Sequence, residues 1–336
     1  MDTRTHTVDN GHGWTLELRQ TARFDRLDVS RPPVVILPGY GMNDFIFRYH
    51  PTGRSMVGDL ACDGLEVWTV NFRGQGKSYA HAADASPMSL AGMALEDLPA
   101  AFDAIRQRTE TRQAAPSGPG QLDVIGCSLG CAVGYGYLAH HPMQHPIRTM
   151  VAMAGPLRWS GVHPALRLLS QAPGLVGAIP FAFTRALAGN VLPLARRVPG
   201  LLRPYLTARR VDLRAAHALI QTVEDPSRHI NRELAVWVRD RDLHLGGLNV
   251  FDALSEVQVP ILCIYGNADG IVPPETARSI ADAAGRVTLL AVGGPDHPYA
   301  HADLFISDGV HHAVFQPIRT WLGSAHRQPE QRVRQV

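Results

Sequence analysis

Lysine is almost missing from this chain. Of its 32 basic residues only Lys77 is a lysine, and the rest are arginine, a bias that reads as coding preference before it reads as function. Net charge is nearly missing too, at +2. No global field therefore recruits nucleic acid or an anionic membrane, and a general polyanion binder is excluded. Cysteine is sparse: Cys62, Cys127, Cys131 and Cys263 form no CxxC pair and no disulfide scaffold, which fits a reducing compartment. No apolar run reaches the roughly 18 residues of a bilayer span. The opening MDTRTHTVDNGHGWTLEL has no apolar leader stretch. The expectation is a cytoplasmic protein without a transmembrane segment.

What is present is apolar. Hydrophobic residues make up 45% of the 336 and charged residues 18%, enough for a large buried core and too little polarity for disorder. The length exceeds the usual domain of about 150 residues, so it holds two domains or one large domain with an insertion.

Aliphatic and β-branched runs alternate with helical patterns, which predicts a mostly parallel sheet flanked by helices. Strands are expected at Trp14–Gln20, Val34–Leu37, Leu65–Asn71, Leu122–Cys127, Thr149–Ala152, Ile261–Tyr265 and Val287–Ala291. VVIL, LDVIGC and ILCIY are continuous apolar runs, as strands buried on both faces should be. Helices are expected near Ser89–Arg108, Leu129–His140, Pro274–Ala284 and Val310–Leu322. The rhythm stops after Gly155 and resumes with VPILCIYG. Residues 1–155 and 259–327 thus read as one core, 156–258 as an inserted helical cap, and 328–336 as a polar tail. The cap carries 13 Arg against 8 acids, and it is uncharged between Arg167 and Arg185.

LDVIGC runs directly into Gly126-Cys127-Ser128-Leu129-Gly130 and then a helical stretch. A nucleophile on a tight strand-to-helix turn has a strained backbone, and side chains two residues to either side would collide. Glycine at 126 and 130 removes them, leaving the Ser128 hydroxyl at the positive end of the following helix. A serine needs a base within reach and an acid to orient that base.

After ILCIY, the turn GNADGIVPP places Asp269 over the same sheet edge as Ser128. The plainer reading makes Asp269 a cap or an Asx-turn residue. The other usual site for the acid, VAMAGPL, contains no carboxylate. The base must follow VTLLAV, leaving His297, His301, His311 and His312. His311 and His312 fall inside the last helical pattern. His301, just ahead of that helix, is favoured, with His297 in its Gly/Pro-rich loop as the rival. The strand PVVILP ends in Gly39-Tyr40-Gly41, where a backbone amide could serve a developing oxyanion. Tyr40 and Leu129 are the natural pair of donors.

With these residues in hand, the chain resembles an α/β-hydrolase-fold serine hydrolase, nearest the acid lipase and esterase group. LEVWTVNFRGQGKSY is similar to that group's strand and following loop, SLAGMALEDLPAAFDAI to its helix before the nucleophile, and AHADLFISDGVHHAVFQPI to its histidine-bearing end. The resemblance implies Ser128 as nucleophile, Asp269 as acid, His301 as base, and Tyr40 and Leu129 as oxyanion donors. Two positions depart: Pro38-Gly39 replaces the usual His-Gly, and Cys127 replaces the usual His before the nucleophile. Polyester synthases of this fold carry Cys at the central elbow position, which here is Ser128; Cys127 is assigned to packing.

The expected activity is ester hydrolysis on a small-molecule substrate with an apolar or lipid-like acyl group, met at the cap around Leu175, Phe181 and Phe183, where a lipid or micelle would also touch. Acyl transfer, polyester synthesis or depolymerisation would use the same triad, and a non-catalytic binding protein is the alternative of another class. No cofactor and no metal are called for. The pairs His140/His141 and His311/His312 do not face one another on a helix. GQGKS lacks the glycine spacing of a phosphate loop, and its lysine follows a loop.

Overall fold

The structure is a computed structural model and describes residues 1–109, 120–162, 164–178, 185, 202–207, 211–212 and 216–324. Eleven strands are numbered in chain order: β1 (Asp2–Asp9), β2 (Trp14–Ala22), β3 (Val34–Leu37), β4 (Val67–Asn71), β5 (Tyr79–Ala80), β6 (Leu122–Cys127), β7 (Ile147–Met153), β8 (His244–Leu245), β9 (Leu248–Asn249), β10 (Ile261–Gly266) and β11 (Val287–Val292). Among the described residues the main sheet has nine strands in the order β1-β2-β4-β3-β6-β7-β10-β11, with β5 paired to β2. Strands β3, β4, β6, β7, β10 and β11 run parallel, while β1 and β2 are antiparallel.

The central strands are buried along their whole length. Their alternating side chains feed two separate cores. Val35, Leu37, Val124 and Met150 pack on one face against α2 (Leu98–Arg108) and α3 (Leu129–His140). Val34, Ile36, Ile125 and Val151 pack on the other, with α1 (Met56–Cys62), α5 (Asp303–Ile306) and α6 (Gln316–Ser324). This is the α/β architecture, mostly parallel and helix-flanked, that the alternation predicts.

Among the features outside the sequence expectation are an edge strand and a short hairpin. Strand β1, DTRTHTVD, forms the sheet edge although six of its eight residues are exposed. The second is the two-residue hairpin β8–β9, which lies in the stretch where no strand was expected.

Between Ala154 and Pro260 none of the described residues belongs to the main sheet. Its described helices include Pro164–Ser170, Pro173–Ala178 and α4 (Arg228–Asp240). Ser227 caps α4 by accepting from the His229 amide. The far end of this stretch packs into the core: Trp237 Nε1 donates to the Leu157 carbonyl at 3.1 Å, and Leu245, Val250 and Leu254 join the α2–α3 cluster. Phe181, Phe183 and the tail 328–336 lie outside the described residues. No described helix is long and apolar enough to cross a membrane.

Candidate active site

Ser128 is the sole residue between β6 and α3. Its backbone sits at φ 53°, ψ −118°, in left-handed territory that a non-glycine residue enters only under strain of about 1–3 kcal/mol. The surroundings hold it there. Its N–H donates to the Met153 carbonyl at 2.8 Å, tying the turn to the end of β7. The glycines are required by contact: a Cβ on Gly126 would lie 2.8 Å from Cys131 Cα, and one on Gly130 would lie 2.7 Å from the Pro38 carbonyl oxygen. The neighbouring Cys127 is fully buried, and burial pushes its thiol far above the ordinary range. A thiol in that state packs and does not react.

Asp269 and His301 meet directly. His301 Nδ1 lies 2.7 Å from Asp269 Oδ2, and both residues are buried. The other carboxylate oxygen, Oδ1, accepts the amides of Ile271 at 2.9 Å and Val272 at 2.8 Å. Asp269 is thus both a turn-forming residue and a partner for the imidazole, one oxygen for each. His297 is elsewhere: it is exposed in a tight turn that pairs its backbone with Gly294. His311 is taken up with the Arg54 carbonyl, 2.7 Å from its Nε2.

Ser128 follows β6 and His301 lies beyond β11, both past the carboxyl ends of parallel strands of one sheet, with β7 and β10 between them; this is the side on which open α/β sheets carry their ligands. No hydrogen bond joins them among the described residues. Contacts of this kind commonly close only when substrate is bound.

Tyr40 and Leu129 border one small cleft, together with Met88, Met93 and Ile230. Their backbone N–H groups have no acceptor among the described residues. The Tyr40 loop lies hard against the nucleophile turn: a Cβ on Gly39 would be 3.1 Å from Ser128 Cβ. The Tyr40 hydroxyl donates to Asn231 Oδ1 on α4, and burial pushes its pKa up to about 12.

Several contacts at the site have no counterpart in the sequence reading. Residues 221–224 lie along the Tyr40 loop: Asn43 N–H donates to the Thr222 carbonyl at 2.9 Å, and Glu224 N–H to the Gly41 carbonyl at 2.8 Å. Tyr205 packs beside the His301 ring at 6.2 Å between centroids. Burial and the charge of Asp269 both raise its phenol. Gly270 N–H donates to the Pro204 carbonyl at 3.0 Å, so the same short stretch also touches the Asp269 turn. These partners are remote in sequence and carry no motif. Leu175 is 70% exposed on its helix, and the described residues of the two helices at Pro164–Ala178 also expose Leu168 and Leu169.

A hydroxyl on a strained turn, an imidazole paired with a carboxylate and two amides without an acceptor among the described residues thus follow strands of one sheet. The family model for the alpha/beta hydrolase fold matches residues 32–299, and the chain belongs to that family. Among solved structures it is similar to a thermophilic esterase from Thermogutta terrifontis at 15% identity and TM-score 0.62, over 96% of this chain and 99% of that one. It is also similar to the esterase RhEst1 from Rhodococcus sp. ECU1013 at 16% identity and TM-score 0.62, over 97% and 100% of the two chains. A proline iminopeptidase from Mycobacterium smegmatis aligns at 19% identity and TM-score 0.57, over 96% and 99%. No curated protein matches the sequence. At these identities the likeness is one of fold, and function must be argued from the site.

Proposed function

We propose that the protein is a serine hydrolase of carboxylic esters, with Ser128, His301 and Asp269 as its relay. His301 Nε2 takes the Ser128 proton as Oγ attacks the ester carbonyl, and the carbonyl electron pair moves to oxygen, opposite the amides of Tyr40 and Leu129. Collapse expels the alcohol, which receives the proton from His301. Water, deprotonated by the same imidazole, then releases the acid and restores Ser128. Asp269 keeps Nδ1 protonated and stabilises the imidazolium. The observation that carries this reading is the 2.7 Å Asp269–His301 contact at the edge where Ser128 stands.

The acyl group is apolar in this reading: Met88, Met93, Leu129 and Ile230 supply an apolar side to a cleft whose border also carries Arg73, Glu224 and Asp225. Residues 156–258 act as the cap: Tyr205 packs beside the base and residues 221–224 along the oxyanion loop. The esterase neighbours are in keeping with the chemistry.

A fluorophosphonate should label the protein on Ser128, and Ser128→Ala should lose both labelling and ester turnover with an unchanged circular dichroism spectrum. Turnover retained by Ser128→Ala would end the proposal. In a series of fluorogenic esters, chains longer than acetyl should be preferred; a strong acetyl preference would remove the apolar-acyl assignment.

A further inference from the structure

The loop after β4 carries the GQGKS sequence that is not a phosphate loop, and its central side chain is placed as a structural strut. Gly74 and Gly76 stand at φ 75° and 56°, turning the chain around Gln75. Gln75 is buried, and both ends of its carboxamide are occupied. Oε1 accepts the Phe72 amide at 3.0 Å, while Nε2 donates to the Gly39 carbonyl at 3.1 Å.

Gly39 C=O and Tyr40 N–H belong to one peptide plane and point to opposite sides of it. A bond that fixes the oxygen therefore fixes the direction of the N–H. Among the described residues that N–H has no acceptor of its own, and Gly39 abuts the Ser128 turn. The strut is itself anchored. Arg73, two residues earlier in the chain, is fully buried and binds Asp97 through its backbone N–H at 3.0 Å, its Nε at 2.9 Å and an Nη at 2.7 Å.

We propose that Gln75 is a positioning residue that aims the Tyr40 amide at the oxyanion, acting through the Gly39 carbonyl and touching no reacting atom. This rests on the serine-hydrolase reading above. A preorganised donor acts on the transition state more than on bound substrate, so its misdirection lowers kcat and leaves KM in place.

Two variants of the whole chain test it, Gln75→Leu and the near-isosteric Gln75→Glu. The second keeps the acceptor for Phe72 but turns a carboxylate oxygen toward the Gly39 carbonyl. Rates are taken per site labelled by fluorophosphonate, which removes any misfolded fraction. Each variant should lose about 10- to 100-fold in kcat with KM within about twofold. Affinity for an alkyl boronic acid, whose Ser128 adduct mimics the tetrahedral intermediate, should fall by a similar factor.

If Gln75→Leu does not fold, Gln75→Glu carries the measurement. A kcat per labelled site equal to wild type, or a loss confined to KM, overturns the assignment; the latter would make Gln75 a substrate contact in the cleft it borders. Wild type that fails to label at Ser128 would instead end the hydrolase reading and this one with it. Labelling with unaffected variants ends this one alone.

Discussion

Gly130 is the residue on which the nucleophile turn depends most directly. A Cβ there would meet backbone atoms at the end of β3, with the Pro38 carbonyl oxygen at 2.7 Å and the Leu37 carbonyl oxygen closer still. Main chain in the middle of a sheet has no flexible end to move aside. Gly130→Ala is therefore expected to lower stability by about 1–3 kcal/mol, read as a shifted denaturation midpoint with unchanged slope. Gly39 is less tight: a Cβ there would lie 3.1 Å from both the Cys127 carbonyl oxygen and Ser128 Cβ, and 3.3 Å from Met42 Sδ, of which the Met42 sulfur is the neighbour that can give way. The elbow is the part of the site most open to reading from residue letters alone. Glycine at 126 and 130 around Ser128 encodes a local steric demand, and local demands survive in sequence.

At the scale of elements, the loop after β4 is held to the helical segment ahead of β6 by charge. Arg73 and Asp97 are both fully buried, and Asn10 Nδ2 adds a 2.7 Å bond to the same carboxylate. Glu96, at 2.7 Å from an Arg73 Nη, sits at the rim. Asp97 lies in a π-helical turn, Met93–Asp97, that interrupts the helix, and Gly92 provides room for the guanidinium: a Cβ there would lie 2.6 Å from Arg73 Cζ. Removing one partner leaves the other charge buried. Asp97→Ala should thus cost about 3–5 kcal/mol in urea unfolding, whereas Glu96→Ala, at the partly exposed end, should cost under about 1 kcal/mol.

The elements also show what a sequence conceals. VVIL and LDVIGC announce themselves because strands buried on both faces must be apolar throughout. Strand β1 does not, because it pairs at the edge through its backbone while DTRTHTVD keeps most side chains in solvent. The hairpin β8–β9, two residues a side, is shorter than any period that could reveal it. At the site, Ser128, Asp269 and His301 follow strand ends in a readable order. Gln75 on Gly39, Tyr205 beside His301 and residues 221–224 along the Tyr40 loop are pairings made by tertiary structure. No local pattern records them.

At the scale of the whole molecule, protons couple to folding through buried histidines. Burial holds His50 and His145 below the ordinary value of 6.5; for His50 the nearby His311 adds to this, while the Ser307 carbonyl opposes it. The unfolded chain then binds protons at pH values where the folded one resists them. Their contribution is intact above pH 6.5 and is lost as pH falls through the lower folded values. Asp123 acts with the opposite sign. Burial pushes its carboxyl up to about 6 against the pull of Arg148, so its contribution is present at low pH and lost as pH rises through that value. The signature to measure is accordingly a difference: between pH 7 and 5 the melting temperature of wild type should fall more than that of His50→Gln. Equal slopes would remove His50 from the account.

Lys77 closes the loop that Gln75 occupies, its amide donating to Glu17 Oε2 at 3.0 Å and its side chain facing solvent. It is the only lysine in the chain. Amine-directed chemistry therefore meets one side-chain address, two residues from the carboxamide that holds Gly39. Molecules coupled to a dye, tether or solid support through that ammonium, and not through the α-amino group, share one orientation, held beside the cleft. The same coupling would crowd the oxyanion loop, making the protein's most selective handle its least innocent one.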